Sequence, residues 1–323
     1  MLSSGHSVAG SRLKSNLTKV DHITEQMGGL SAYQKLKAIN IDDDSEWNTC
    51  HEHLTALQKN IVNQSNVVIN LTSDAIGITA AESCVASFVE RLPQRTAPTD
   101  SSATLGAFVW DPHAKEHLNE GFGVASQVNY VVQGGLLNLK QKDSSDGGSD
   151  GSEGDVSLGS ASVISRYLRN TWLWDEVRVK GGAYGGFCSF DGVSNVFSYG
   201  SYRDPNLTKT LEIYSQSPHF LKTIPLDVNE VTKGIVGTIS DADTPRTPSG
   251  RGYTDMLRYL VGETDDNRQR WRDEVLNTKE IDFRNFGERL QMFHDQKPKV
   301  VVIGGTDSVD EMKNDVDWSV KRV

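Results

Sequence analysis

Residues 183–203 read AYGGFCSFDGVSNVFSYGSYR, and no other stretch constrains the fold as much. Two runs rich in aromatic and small residues, 183–190 and 195–203, flank a short polar break, which is the pattern of a β-hairpin. Earlier in the chain, 105–110 and GVASQVNYVVQG (123–134) each read as a strand, and KVVVIGG (299–305) reads as a closing strand. Helical spacing appears at 160–174 through Val163, Ile164, Tyr167, Leu168 and Trp172. Further helices are expected at 206–222, 227–239, 251–262 and 264–276. This order predicts an α+β sandwich with helices on one face of a sheet.

The first hundred residues read differently. Between 21 and 62 apolar residues recur every three or four positions: Ile23, Met27 and Leu30, then Tyr33, Leu36 and Ile39, then Trp47, His51, Leu54 and Leu57. Asp42, Asp43 and Asp44 are placed to cap the last of these helices. NVVINLTSD (66–74) is short, β-branched and bounded by polar residues, which predicts a buried strand. A helix over 77–92 ends at Pro93, and PQRTAPTDSSA (93–103) has linker composition. The division is therefore 1–95, a linker at 96–104, and 105–323. Helices, one strand and one helix make only the end of a sheet domain, so the first unit should leave apolar residues such as Ile23, Met27, Val67 and Ile69 uncovered. The run QKDSSDGGSDGSEGDVSLG (141–159) is almost wholly Ser, Gly and acid, and is expected to be a disordered surface insertion or an acidic interaction loop.

Charge narrows the partners. Across 323 residues, 33 Lys and Arg face 43 Asp and Glu, a net charge of −10, which disfavours nonspecific attraction to nucleic acid or anionic membrane. No run of 18 apolar residues occurs. Cys50, Cys84 and Cys188 are far apart and odd in number, which fits a reducing compartment better than a disulfide framework. The N-terminus MLSSGHSVAGSRLKSNL lacks the apolar core of a secretory signal, and its Ser, Arg and Lys only faintly suggest a transit peptide.

Two segments carry candidate chemistry. HAKEH (113–117) matches the inverted zinc motif: on a helix His113 and His117 share a face, and Glu116 would sit beside a metal-bound water. Its context opposes this, since Asn119, Glu120 and Gly121 end any helix within about two turns and no third ligand stands out. Solvated loop histidines are the plainer reading. HEH (51–53) is weaker, because residues two apart point to different sides of a helix. The second candidate is WDEVRVKGGAYGGFCSFD (174–191), where glycines and an alanine surround Arg178 and Tyr184. Glycine weakens a strand unless another backbone must approach closely, as a bound peptide would. A Tyr hydroxyl can donate to an oxyanion and an Arg can hold a peptide carbonyl. A glycine-rich hairpin with a core Tyr and a surface Arg remains the structural alternative.

LWDEVRVKGGAYGGFCSFDG resembles the C-terminal part of the presequence proteases, zinc metallopeptidases of the pitrilysin group (peptidase family M16) that degrade cleaved organelle targeting peptides. GHSVAGSRL (5–13), EQMGGLSAYQKL (25–36), NVVINLTSD (66–74), EGFGVASQVNYV (120–131) and SYGSYRDPNLTKTLEIY (198–214) look like family segments in family order. The acidic insertion departs from the pattern. The resemblance implies a pitrilysin-type α/β sandwich at 105–323, the fourth of four similar domains, preceded at 1–95 by the C-terminal part of the third. It implies a catalytic zinc in the first domain, outside this chain, so that HAKEH is coincidental and this chain alone is expected to bind no metal and cleave nothing. Tyr184 is then expected to stabilise the oxyanion and Arg178 to hold the substrate backbone, with Gly181, Gly182 and Ala183 lining the bound peptide. The implied partners are unstructured peptides and the missing N-terminal catalytic half. The implied compartment is the mitochondrial matrix or the plastid stroma. A noncatalytic peptide-binding module, or a half-enzyme complementing a separate catalytic half, is the other reading, and a self-contained zinc peptidase using HAKEH is the third.

Overall fold

The computed structural model describes residues 4–94, 119–139 and 155–323. HAKEH, the strand expected at 105–110, the linker at 96–104 and most of the acidic insertion lie outside them. The chain splits into two compact units: Met1–Tyr33 with Trp110–Asp243 and Gln269–Val323, and Gln34–Val109 with Thr244–Arg268. This differs from the division at residue 95, and the reason lies in the first helices.

In chain order the elements are α1 (Gly5–Lys14), α2 (Lys19–Gly28), α3 (Leu30–Ala38), α4 (Asp44–Ile61) and α5 (Ala75–Arg91). Strands β1 (Asn119–Val124) and β2 (Tyr130–Leu136) follow, then α6 (Leu158–Leu168), a π-helical segment (Arg169–Lys180), β3 (Gly185–Asp191) and β4 (Val196–Tyr202). Next come α7 (Thr208–Thr223), α8 (Val228–Ala242), α9 (Pro248–Val261), α10 (Asp265–Leu276) and α11 (Glu280–Asp295). The chain closes with β5 (Lys299–Gly305), α12 (Thr306–Asp310) and β6 (Trp318–Arg322).

The first unit is built on a six-stranded mixed sheet in the order β3-β4-β2-β5-β1-β6. β1 runs parallel to β5 and β6, while β2 is antiparallel to β4 and β5, and β3 to β4. The run expected as one strand at 123–134 is two, because Ser126 closes a turn on Val128: its hydroxyl donates to Val128 O at 2.9 Å and accepts from Val128 N at 3.1 Å. Alternation assigns the faces. Val300 and Val302 point into a large core with Leu168, Leu173, Tyr199, Tyr214, Phe283 and Phe286. Val301 and Ile303 point the other way, into a second core with Ala9, Leu13, Leu30, Tyr130 and Val132. Both faces of the sheet are therefore apolar and both need cover, so the expectation of helices on one face only fails. α1 covers the second face, with Ala9 and Leu13 wholly buried. This is why residues 4–33 belong to the sheet unit and not to a separate N-terminal one.

Arg12, on α1, fixes that packing electrostatically. Its guanidinium donates to both Glu120 carboxylate oxygens, at 2.8 and 2.7 Å, and lies 3.4 Å from Glu25. Burial pushes the Glu120 carboxyl up, but the Arg12 hydrogen bonds and charge outweigh burial and hold it below the usual carboxylate range. Glu25 also accepts from Ser31 N at 2.8 Å, which ties the start of α3 to the same arginine. At the other end of the low-complexity run, residues 155–159 belong to the fold and not to a disordered insertion. Val156 is 1% exposed, Asp155 meets Arg289, and Ser157 caps α6 through Ser160 N at 3.1 Å.

The second unit is helical where described. Asp43 caps α4 by accepting from Ser45 N and Glu46 N, and Asp74 caps α5 by accepting from Gly77 N at 2.7 Å. Residues 67–73 are not a strand. The β-branched pattern is present, but no described strand pairs with it, and Val68, Ile69 and Leu71 are exposed. Together with Met256 and Tyr259 of α9 they line a groove of about 650 Å³. Of the residues expected to be uncovered, Ile23, Met27 and Ile69 are exposed and Val67 is half-buried.

Two outcomes test this account. Replacing Arg12 by Met leaves Glu120 and Glu25 buried without their cation, and should destabilise the chain by about 3–5 kcal/mol in urea unfolding, with partial recovery when Glu120→Gln is added. His294 lies beside Tyr199, and burial pulls its ring down from 6.5 to about 4. The unfolded chain then binds a proton that the folded chain refuses, so stability falls as pH drops from about 6.5 to about 4. The variant His294→Gln should lose that part of the slope in thermal unfolding.

Candidate functional site

The candidate residues occupy the junction between the π-helical segment and β3. The helix read at 160–174 continues to Lys180, α-helical to Leu168 and π-helical beyond it, with Leu173 and Val177 buried. Trp172 Nε1 donates to Ile213 O at 3.0 Å, which pins this segment to α7. Wide π turns recur at functional sites because they re-aim side chains. Here the re-aimed side chain is Arg178, whose guanidinium carbon sits 4.0 Å from the Trp174 ring centroid and 5.9 Å from that of Tyr184.

The turn that follows is held tightly. Gly181 packs so closely that an added Cβ would lie 2.5 Å from Val177 O, and its own carbonyl accepts from Asn206 Nδ2 at 2.7 Å. Gly182 has φ +81°, a left-handed backbone that side chains disfavour, and its N–H donates to Arg178 O at 3.0 Å. Ala183 is buried and donates to Val177 O at 3.2 Å. Gly181, Gly182 and Ala183 are thus brought together with Arg178 and Tyr184, as a rigid connection between them.

Tyr184 leaves this turn with its side chain 66% exposed and its N–H bonded to Tyr202 O at 3.0 Å. Its ring meets Tyr202 edge-on at 5.6 Å, and Tyr202 in turn meets His6 at 4.9 Å. The neighbouring Asp204 is fully buried and saturated, accepting from Asn206 N at 2.9 Å and Thr210 Oγ1 at 2.7 Å. Its backbone pairs with Asn129 in both directions, at 2.7 and 2.8 Å. Chemically, the arrangement presents an exposed phenol and a ring-stacked guanidinium side by side. Both are donors suited to carbonyl or carboxylate oxygens. Cys188 is no nucleophile here: burial pushes its thiol up to about 12, and it donates to Ser165 O at 3.2 Å.

The remaining candidates do not join this site. Among the described residues no three His, Cys, Asp or Glu side chains are grouped to hold a metal ion, so these residues do not fit a zinc centre. His113, Glu116 and His117 lie outside the described residues. His51 and His53 are exposed on α4. Three residues of the junction escaped sequence reasoning: Trp174, Asn206 and Arg203. The Trp174–Arg178 spacing of four was a usable helical signal. The contact from Asn206 to Gly181 crosses 25 residues and had none.

A model of the PreP C-terminal domain matches residues 119–307, more than half of the chain. The chain belongs to the PreP C-terminal domain family. The resemblance drawn from 173–192 is thereby borne out, and the match runs from β1 through β5 of the sheet just described. The chain is 38% identical over 312 residues to presequence protease 1, chloroplastic/mitochondrial, of Arabidopsis thaliana, covering 97% of this chain and 27% of that one. It is 29% identical over 290 residues to the mitochondrial presequence protease of Saccharomyces cerevisiae, covering 88% of this chain and 27% of that protein. It therefore spans about a quarter of the length of these relatives and corresponds to the C-terminal portion of an M16 peptidase. Among solved structures it is similar to a peptidase M16 inactive domain from Pseudomonas fluorescens, with TM-score 0.41 and 14% identity over 71% of this chain and 51% of that one.

The left-handed backbone at Gly182 of this PreP C-terminal domain can be tested directly. A Cβ there would meet only Pro205, at 3.7 Å, so the penalty of substitution is conformational and not steric. Gly182→Val should lower stability by about 1–2 kcal/mol, and Gly182→Asn, which tolerates this region, by less. Thermal denaturation of both variants checks the order.

Proposed function

We propose that this chain forms the substrate-facing C-terminal portion of a zinc metalloendopeptidase that degrades cleaved targeting peptides and other short unstructured peptides. The observation that carries this reading is the exposed Tyr184 phenol held beside the Arg178 guanidinium on a turn locked by Gly181, Gly182 and Asn206. Tyr184 donates to the oxyanion that develops on the scissile carbonyl, and Arg178 holds a neighbouring peptide carbonyl. Gly181, Gly182 and Ala183 keep the two donors in fixed relation, so that neither must be ordered when substrate arrives. Zinc, on this reading, is bound by the longer enzyme and not by the residues described here. The relatives named chloroplastic or mitochondrial support a mitochondrial matrix or plastid stroma location.

In the full-length peptidase carrying this sequence, Tyr184→Phe should lower kcat on the order of 10²-fold while leaving KM nearly unchanged. Arg178→Lys, which keeps the charge but loses the planar fork, should raise KM. Unchanged turnover in Tyr184→Phe would remove the oxyanion role. Loss of peptide binding without loss of turnover would favour the binding-module reading instead.

A further inference from the structure

Arg178 is not the only guanidinium at this site. Arg203 follows Tyr202 directly, is exposed, and places its guanidinium carbon 5.4 Å from the Tyr202 ring centroid. The sequence of contacts is continuous: Arg178 on Tyr184 at 5.9 Å, Tyr184 on Tyr202 at 5.6 Å, and Tyr202 on Arg203 at 5.4 Å. Two arginines thus flank a pair of crossed tyrosine rings, each held by aromatic faces. Neither takes part in an ion pair or side-chain hydrogen bond among the described residues. That is unusual in an acidic chain whose other arginines are widely paired with carboxylates, among them Arg12, Arg166, Arg272 and Arg289. The carboxylate next in sequence, Asp204, is buried and turned to Asn206 and Thr210, from which it accepts.

The backbone adds a second observation. Arg203 has φ +49°, a left-handed conformation that a non-glycine residue adopts at a penalty. It persists because both sides are fixed: Tyr184 N donates to Tyr202 O and, at 3.4 Å, to Arg203 O, while Asp204 is locked to Asn129. Glycine would satisfy this backbone without strain, yet an arginine stands there whose side chain has no hydrogen-bond or ion-pair partner among the described residues.

We infer that Arg203 is a carboxylate-binding, specificity-determining residue, which holds a carboxylate of the peptide whose backbone lies at Tyr184 and Arg178. The inference rests on the proposed peptide-handling role of that pair. A guanidinium held by a cation–π contact keeps its planar fork of N–H donors available, and such a fork receives a carboxylate through two parallel hydrogen bonds. The carboxylate is either the C-terminal group of a short peptide or an acidic side chain, and one experiment separates them.

Three fluorescent ten-residue unstructured peptides are titrated into the 323-residue chain at low ionic strength, with anisotropy as the readout. One has a free C-terminus and no acidic residue, one is amidated with a single central Glu, and one is amidated with no acid. Arg203→Gly relieves the left-handed strain, so its thermal stability should equal or exceed that of the parent. It should nevertheless bind at least one carboxylate-bearing peptide about tenfold more weakly, with no change for the peptide lacking a carboxylate. Loss for the free C-terminus alone identifies the terminal carboxylate, and loss for the Glu peptide alone an acidic side chain. Equal affinity of Arg203→Gly and parent for all three peptides, or an equal loss for all three, overturns the inference. If Arg178→Ala weakens every peptide while Arg203→Gly weakens none, the inference falls and the proposed function stands. If the parent binds no peptide, the inference falls, while the proposed function is decided separately by the turnover of Tyr184→Phe in the full-length peptidase.

Discussion

Strand β5 must be buried on both faces, and the rest of the structure follows from that requirement. Its residues alternate between two cores, Val300 and Val302 in one, Val301 and Ile303 in the other. A strand of this kind cannot lie at a solvated surface, so it is flanked by β2 and β1 and roofed on both sides. The larger roof, from α6, α7 and α11, leads into the π-helical segment and so delivers Arg178. The smaller roof is α1, and because α1 begins the chain, its docking ties residues 4–33 to strands more than a hundred positions later. The Arg12–Glu120 pair acts across that separation and fixes which way α1 lies.

What the sequence made legible were the features written locally. The hairpin of β3 and β4, the cap at Asp43 and the helices from 206 to 276 all come from short-range pattern, and all are present. Helix α11 was missed although Phe283, Phe286, Leu290 and Phe293 are spaced along one face, with Gly287 interrupting the run between Phe286 and Leu290. β6 is five residues long and only partly buried, too short to register. α1 was missed for a different reason: GHSVAGSRLK has two small glycines and few large apolar residues, and its burial depends on close approach to Tyr130 rather than on amphipathic pattern.

The segment 66–74 shows the converse failure. Its composition is that of a buried strand, but a strand is defined by its neighbour, and composition carries no information about whether a neighbour is there. Val68 and Ile69 therefore stand exposed in an extended segment that no described strand joins. The site was half legible for the same kind of reason. Arg178 and Tyr184 lie six apart with glycines between them, close enough for resemblance and chemistry to pick them out. Asn206 and Arg203 act on them through tertiary contacts that no spacing announces.

That asymmetry bears on how the site works. An exposed phenol on a flexible turn would have to be ordered each time a ligand bound, at an entropic cost comparable to the hydrogen bond it then makes. Here the turn is ordered by groups within the fold. The Gly181 carbonyl is held by Asn206, Asn206 by Asp204, and Asp204 by Thr210 and the Asn129 backbone. Asn129 in turn opens β2, which lies against β5. The position of Tyr184 is thus tied to the sheet through a short series of hydrogen bonds, while Trp174 and Tyr202 lie against the two guanidinium groups, whose donors have no partner among the described residues. A surface organised in this way is held in its backbone and presents donors that have no partner among the described residues, which is the condition that the proposed recognition of peptide oxygen atoms requires.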